Sequence, residues 1–173
     1  RSTFRMCTFT GNSATNSTGG GAIRNGNGYN GPTLNLTDDV LWNDTVTTAN
    51  PSTAEISSQY GLSVNFCDVK GGYAGTGNIN ADPLFQSSSS FQIQLLSPCG
   101  GAGIGISGVV VDFNGRARPS HPSMGAYEGA TNHWTPAGAA AGPDGNTRMI
   151  WNDGNGNVQL WAVASSGTKT VVT

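Results

Sequence analysis

The residues of this chain that could do acid–base chemistry are mainly aspartates, and they are spread along its length. Enzymes that cleave polysaccharides use convergent carboxylates, and lyases add calcium and a basic residue. Asp38 and Asp39 are adjacent, so in a strand their side chains would point to opposite faces. The acids considered are Asp38, Asp39, Asp44, Asp68, Asp82 and Asp112. They show no convergent acid–base set, so we predict no catalytic residues and no enzymatic activity.

Two histidines and one glycine-rich loop are the candidates for metal binding. His121 and His133 lack neighbouring ligands in the sequence and are expected in exposed loops. Residues 153–157 alternate oxygen donors as a calcium loop does. An EF-hand would then need glycine and glutamate where this chain has Val158 and Ala164. We interpret the loop as a hairpin turn and predict neither a metal nor another cofactor.

Three tryptophans near the end of the chain offer a different chemistry. Flat aromatic faces stack on sugar rings, so Trp134, Trp151 and Trp161 are the candidate carbohydrate-binding residues. The competing interpretation is that they cover a hairpin and fill its contact with the rest of the chain. We favour this packing role.

A short repeat positions many of these residues. Residues 4–12 return in altered form at 36–44 and 64–72. Each copy is too short for a helix and predicts two brief strands around a bend. No copy could bury its apolar face alone, so the copies are expected to stack. The predicted core ladder of matching positions comprises Phe4, Cys7, Phe9, Leu36, Leu41, Val64, Cys67 and Val69.

The three cysteines are predicted to be reduced. Cys7 and Cys67 hold the same repeat position two copies apart, which separates them by roughly 10 Å at the ~4.8 Å spacing of strands. A disulfide needs Cα atoms within about 7 Å. We expect thiols that act as small core residues, with a bridge to Cys99 left open. Asp39 occupies the position between them, either at a bend facing water or facing inward with a hydrogen-bond donor.

Several motifs, taken in order, resemble one protein family. They look like the C-terminal end of secreted bacterial right-handed parallel β-helix surface proteins with a choice-of-anchor domain. The repeats of these proteins are similar to those of polymorphic outer membrane proteins. The resemblance covers roughly residues 1–129 and implies architecture and surface location more than chemistry. The matching stretches are residues 7–14, 19–23, 69–85, 91–95, 97–99, 112–119 and 124–128.

Two expectations concern the end of this region. Arg116 and Arg118 lie in a turn typical of the family and are expected to brace the terminal segment. Residues 124–128 are expected to close the stack, because a bare end would expose apolar side chains and unpaired strand edges.

Residues 130–173 follow a different pattern. Residues 147–151 and 157–163 alternate as two strands around a glycine-rich turn, which predicts a β-hairpin. The segment resembles one unit of the tandem Trp-rich β repeats of some bacterial surface proteins, similar to a propeller blade. One blade cannot close a propeller. The segment therefore packs on the preceding domain, is the first of several units, or pairs with another molecule.

The predicted fold is all-β. Residues 1–129 form a right-handed parallel β-helix, a pectate-lyase-like solenoid, and residues 130–173 form a β-hairpin module. Only 10% of the residues are charged, against about 25% in typical globular proteins, and 26 are glycine. Because the first repeat begins close to Arg1, we expect a processed fragment or part of something longer.

Charge and hydropathy limit the function. A net charge of −2 gives no basic surface for nucleic acid, and no long apolar stretch predicts membrane insertion. We expect a non-enzymatic extracellular or cell-surface protein, a stalk, adhesin scaffold or matrix component. Its expected partners are copies of itself, assembled end to end or by edge strands into filaments, or surface glycans. The alternative is a carbohydrate-binding module or the remnant of a polysaccharide-processing enzyme.

Overall fold

The computed structural model describes residues 2–15, 19–26, 31–47, 55–129, 135–152, 158–164, 166 and 169–172. Over these residues the protein is all-β and contains no helix. Accordingly, none of the described residues belongs to a helix suited to crossing a membrane. The chain divides into two compact units, Arg1–Ala130 and Thr131–Thr173, and each is described by itself.

The first unit contains short strands, most of them paired in parallel. Its strands are β1 (Ser2–Arg5), β2 (Thr8–Thr10), β3 (Ser13–Ala14), β4 (Ile23–Asn25), β5 (Leu34–Thr37), β6 (Val40–Trp42), β7 (Thr45–Val46), β8 (Ile56–Ser58), β9 (Leu62–Asn65), β10 (Asp68–Val69), β11 (Phe85–Ser87) and β12 (Ser90–Ile93). We call β1–β4 repeat 1, β5–β8 repeat 2, and β9–β10 repeat 3.

The three repeats stack in register. Repeat 2 lies between its neighbours in two three-stranded parallel sheets, with orders β1-β5-β9 and β2-β6-β10. The pairs β3-β7 and β4-β8 join repeats 1 and 2 in the same parallel sense. Phe4 is paired with Leu36, and Leu36 with Val64, which are the positions that the sequence repeat aligns. The stacking therefore puts similar side chains over one another.

The core within the repeats is a column of aliphatic side chains and one thiol. Leu36, Leu41 and Cys67 are completely buried. Phe4, at the outer end of the same column, is 37% exposed and stacks edge to face on Phe9 at 5.3 Å. The predicted ladder thus becomes less buried toward repeat 1. The buried core cluster as a whole comprises five members of the predicted ladder and three further residues: Leu36, Leu41, Val64, Cys67 and Val69, with Ile23, Leu34 and Ile56.

The chain turns at the same two positions in every repeat. Both are in the left-handed region of φ, which most residues avoid and which Gly and Asn adopt most easily. The first is held by non-glycine residues each time, and the second by glycine or asparagine. The residues are Met6 (φ 52°), Asp38 (59°) and Phe66 (53°), then Gly11 (70°), Asn43 (64°) and Gly71 (85°).

Residues 97–128 cover the side of the stacked repeats. The Ala126 N–H donates to Thr8 Oγ1 at 3.0 Å, and the Gly125 N–H donates to the Asp38 carbonyl at 2.7 Å. A second apolar cluster lies here, formed by Val40, Ile93, Cys99 and Met124. The prediction that residues 124–128 close the end of the stack is therefore wrong. They reach Thr8 in repeat 1 and Asp38 in repeat 2 along one side.

The end of repeat 3 is closed by residues 71–80 instead. The Phe66 N–H donates to the Thr76 carbonyl at 2.8 Å. Val69 and Ile79 extend the ladder, since the Val69 N–H donates to Ile79 O at 3.0 Å and the Ile79 N–H donates to Cys67 O at 2.9 Å. This closing segment supplies the hydrogen bonds that a further repeat would otherwise make.

The second unit is a four-stranded antiparallel sheet in sequential order. Its strands are β13 (Thr135–Ala141), β14 (Thr147–Asn152), β15 (Val158–Val163) and β16 (Lys169–Val172). The central pair β14-β15 is the hairpin that the alternating pattern predicts. The unit is larger than a lone hairpin, because β13 pairs with β14 at one edge and β16 pairs with β15 at the other. The sequence of β13 is an Ala/Gly stretch of low strand propensity.

Candidate functional site

Most of the carboxylates are buried in the first unit, where they hold backbone segments together. Asp82 is exposed, and its Oδ1 accepts the Leu84 N–H at 2.9 Å. The others bind donors in their own repeat, in a neighbouring repeat or in the covering segment. The buried acids are Asp38, Asp39, Asp44, Glu55, Asp68, Asp112 and Glu128.

Asp39 links all three repeats. Its Oδ1 accepts the Cys7 N–H at 2.7 Å and its Oδ2 accepts the Thr37 N–H at 3.1 Å. Its own N–H donates to Cys67 Sγ at 3.4 Å. Asp39 therefore faces inward with donors, the second of the two predicted alternatives. Burial raises the pKa of Asp39 to about 7, although the two amide hydrogen bonds act to lower it.

Asp38 and Asp68 attach the covering segments to the repeats. Asp38 Oδ1 accepts the Ile104 N–H at 2.9 Å. Asp68 Oδ1 accepts the Ala81 N–H at 3.2 Å, and its Oδ2 accepts the Cys99 thiol at 3.1 Å. Burial raises the pKa of each of the two carboxyls to about 6. The two acids hold different stretches of the covering segments, since Asp38 binds Ile104 while Asp68 binds Ala81 and Cys99.

Asp44 and Glu55 form a buried acid pair. Asp44 Oδ1 accepts both the N–H and the Nδ2 of Asn12 at 2.7 Å, and the Asp44 N–H donates to Glu55 Oε1 at 3.3 Å. Burial, then a hydrogen bond to the Asp44 side chain and its charge, raises the pKa of Glu55 well above 4.5. The negative charge of Asp44 beside Glu55 thus favours the neutral form of the Glu55 carboxyl, as burial does.

The covering segment has its own buried network. Arg118 Nη1 lies 2.6 Å from Glu128 Oε1, with both side chains almost fully buried. Arg116 donates to the Glu128 carbonyl at 3.2 Å. Glu128 also accepts the Ser123 N–H, and Asp112 accepts the Glu128 N–H at 2.8 Å. The expectation that Arg116 and Arg118 brace this region is thereby confirmed.

The three thiols are free, as predicted for Cys7 and Cys67, and the bridge to Cys99 that was left open is absent. Cys67 and Cys99 are buried, and Cys7 is half-buried. Burial raises the pKa of Cys67 to about 12 and raises the pKa of Cys99 and Cys7 as well. A thiol that stays protonated is a poor nucleophile and a poor metal ligand. These cysteines act as small core residues and weak hydrogen-bonding groups.

The predicted carbohydrate-binding residues belong to the second unit. Trp161 lies in β15, half-buried, and its register partners are Met149 and Val171. Trp151 lies in β14 and is paired with Gln159. Trp134 lies outside the described residues. The structure therefore gives strand positions for two of the three tryptophans.

Of the metal candidates, the structure describes only His121. His121 is exposed, with Nδ1 3.5 Å from Ser120 Oγ, while His133 and residues 153–157 lie outside the described residues. Within the described part of the chain, no group of three or more His, Cys, Asp or Glu side chains could hold a metal ion.

Sequence reasoning missed Asn12, Glu55 and Glu128 as members of the buried polar network. For Asn12 a signal was present, because Asn12 and Asp44 hold the same position in the repeat and stacked positions tend to hydrogen-bond. For Glu55 and Glu128 there was none, because both lie outside the repeated stretches.

The chain matches no family model, no curated protein and no solved structure in the comparisons made.

Proposed function

We propose that the first unit is a right-handed parallel β-helix that serves as a non-enzymatic structural or adhesive scaffold outside the cell. The supporting observation is how the acids are used. Asp39 bonds across repeats, and Asp38 and Asp68 bond the covering segments, through backbone amides or a thiol. Carboxylates held in this way stabilise a stacked fold, whereas hydrolases and lyases expose convergent acids to substrate.

General chain geometry favours a right-handed path for the proposed β-helix. Strands β1, β5 and β9 are parallel neighbours in one sheet and are joined by long connections. Such crossover connections are right-handed in about 98% of cases, because of the twist of the strands. An experimental structure at side-chain resolution tests this, and a left-handed path from β1 to β5 would overturn it.

Location and lack of catalysis are tested separately. Antibodies against the chain should label intact cells of the source organism without permeabilisation. The purified chain should release neither reducing ends nor unsaturated ends from neutral or acidic polysaccharides. Labelling only after permeabilisation would contradict the extracellular role. Product release that is lost in Asp38→Asn or Asp68→Asn variants, provided these remain folded, would contradict the scaffold role.

The proposed scaffold role extends to the assembly of copies of the chain into filaments. Simple head-to-tail stacking of copies is opposed by residues 71–80, which occupy the edge of repeat 3. A filament would have to join copies through other edges, including those of the second unit. Electron microscopy of the purified chain at high concentration tests this, with ordered fibres as the supporting result.

A glycan-binding role for the second unit is the alternative proposal. It draws on Trp161, which is half-buried in an antiparallel sheet and is in register with Met149 of the neighbouring strand. Binding should change tryptophan emission on titration with glycans, and Trp161→Ala should abolish the change while Trp42→Phe, in the first unit, should not. A response that Trp161→Ala leaves intact would count against this role.

A further inference from the structure

Repeat 1 presents an open edge. Strands β1 and β2 each have a single neighbour among the described strands, β5 and β6 respectively. At the opposite end of the stack, residues 71–80 take up the hydrogen bonds of repeat 3. The two ends therefore differ, because one is closed by the chain itself and the other is bare among the described residues.

Along this edge the backbone of β1 carries N–H and C=O groups that no described strand pairs with, although the Arg5 carbonyl accepts the Cys7 thiol at 3.3 Å. The Ser2 N–H donates to Thr33 O at 3.1 Å and the Met6 N–H donates to Thr37 O at 3.0 Å, both toward repeat 2. Successive residues of a parallel strand direct these groups to alternate sides. Thr3 and Arg5 accordingly direct their N–H and C=O groups away from repeat 2, in the arrangement that a further parallel strand requires.

The apolar column also ends uncovered at this edge. Phe4 is 37% exposed, whereas its register partner Leu36 is fully buried and Val64, next along the column, is 2% exposed. Phe9, half-buried, packs edge to face on Phe4. Two aromatic rings thus lie where repeats 2 and 3 carry buried aliphatic residues.

We propose that this edge binds a further repeat of the same kind, whose strands add in parallel to β1 and β2 and whose apolar side chains cover Phe4 and Phe9. The occupant is defined by continuity, since the two repeat–repeat interfaces already present use the same register and the same turn positions. Repeat 3 of a second copy does not suit the edge, because residues 71–80 cover it. This proposal depends on the strand register and not on the extracellular role.

The test adds one repeat to the full chain. Residues 31–60 are duplicated directly before Arg1, so that the junction copies the native step from Tyr60 to Gly61. Ser2 and Leu62 are both in register with Leu34, so the added repeat should stack on repeat 1 as repeat 2 stacks on repeat 3. Hydrogen exchange measured by NMR should show the Thr3 and Arg5 amides slowed at least about tenfold.

The matched control carries Leu36→Ser and Leu41→Ser in the added repeat only, which keeps its length and backbone but removes its apolar side chains. Its Thr3 and Arg5 amides should exchange as fast as in the native chain. Unchanged exchange in the intact fusion, or equal protection in the serine control, would overturn the proposal. So would protection of these amides in the native chain that rises with concentration, since a second copy would then be the occupant.

Discussion

At the scale of single residues, buried ionisable side chains hold backbone segments together through hydrogen bonds. Asp39 and Glu55 are buried, and burial raises the pKa of both into or near the physiological range. A carboxyl with a raised folded pKa binds more protons in the folded state than in the unfolded state. Its contribution to stability is then fully present below its unfolded pKa and is lost as pH rises through its folded pKa.

We therefore expect the wild-type chain to be more stable near pH 5 than near pH 8. Burial raises the pKa of Asp39 from 3.8 to about 7, and a pKa difference of one between the folded and unfolded states corresponds to about 1.4 kcal/mol. Asp39→Asn mimics the protonated acid but loses one acceptor, so it should cost about 1–3 kcal/mol at pH 5. The cost should shrink toward pH 8, where the wild type has lost stability. Urea unfolding at both pH values measures this.

Gln86→Ala serves as the control, because Gln86 is exposed and carries no titratable group, and it should leave the pH dependence as in the wild type. If the cost of Asp39→Asn instead grows with pH, the two amide hydrogen bonds to Asp39 outweigh burial and the carboxylate is ionised throughout.

At the scale of elements, the segment of residues 71–80 decides how the stack ends. Gly75 lies where a Cβ atom would come 1.9 Å from the Val64 carbonyl oxygen, a fixed backbone atom. The Asn78 Nδ2 also donates to that oxygen at 3.0 Å. Close approach of the segment to β9 thus requires the absence of a side chain at position 75.

Gly75→Ala should accordingly displace the closing segment and destabilise the first unit by about 1–3 kcal/mol, the usual range for overpacking. Exchange of the Phe66, Val69 and Ile79 amides should accelerate along with it. Gly138→Ala, in β13 with open space at its Cβ position, is the matched control and should be tolerated. Equal losses in the two variants would mean that the contact with Val64 does not hold the segment.

The same elements show what the sequence could predict. The stacked strands were predictable because Phe4, Leu36 and Val64 are chemically alike and a parallel stack superposes like on like. The side cover was not, since it depends on contacts such as Ala126 to Thr8, 118 residues apart, with no periodic pattern. The left-handed turns at Met6 and Phe66 were also hidden, because neither residue type favours that conformation.

At the scale of the whole molecule, the described strands pair within each unit. All four strands of the second unit pair with one another, and the described strands of the first unit pair only among themselves. Each unit also has its own aromatic reporters, because Trp42 belongs to the first unit while Trp134, Trp151 and Trp161 belong to the second.

Residues 1–130 alone should therefore fold. Trp42 borders the second apolar cluster, and Lys70 Nζ lies 5.6 Å from the centre of its ring, so its emission reports the native packing of this unit. The comparison is the full chain with Trp134, Trp151 and Trp161 replaced by Phe, which leaves Trp42 as the single fluorophore. The two proteins should unfold in urea with free energies that agree within about 0.5 kcal/mol, as expected for independent sites.

A truncated chain that is less stable by more than about 2 kcal/mol would show that the second unit stabilises the first. A loss of that size is a large share of the ~5–15 kcal/mol free energy of unfolding of a typical domain. The scaffold proposed for residues 1–130 would then need the four-stranded sheet for its stability. Agreement between the two proteins would instead leave the sheet free to bind glycans or another chain.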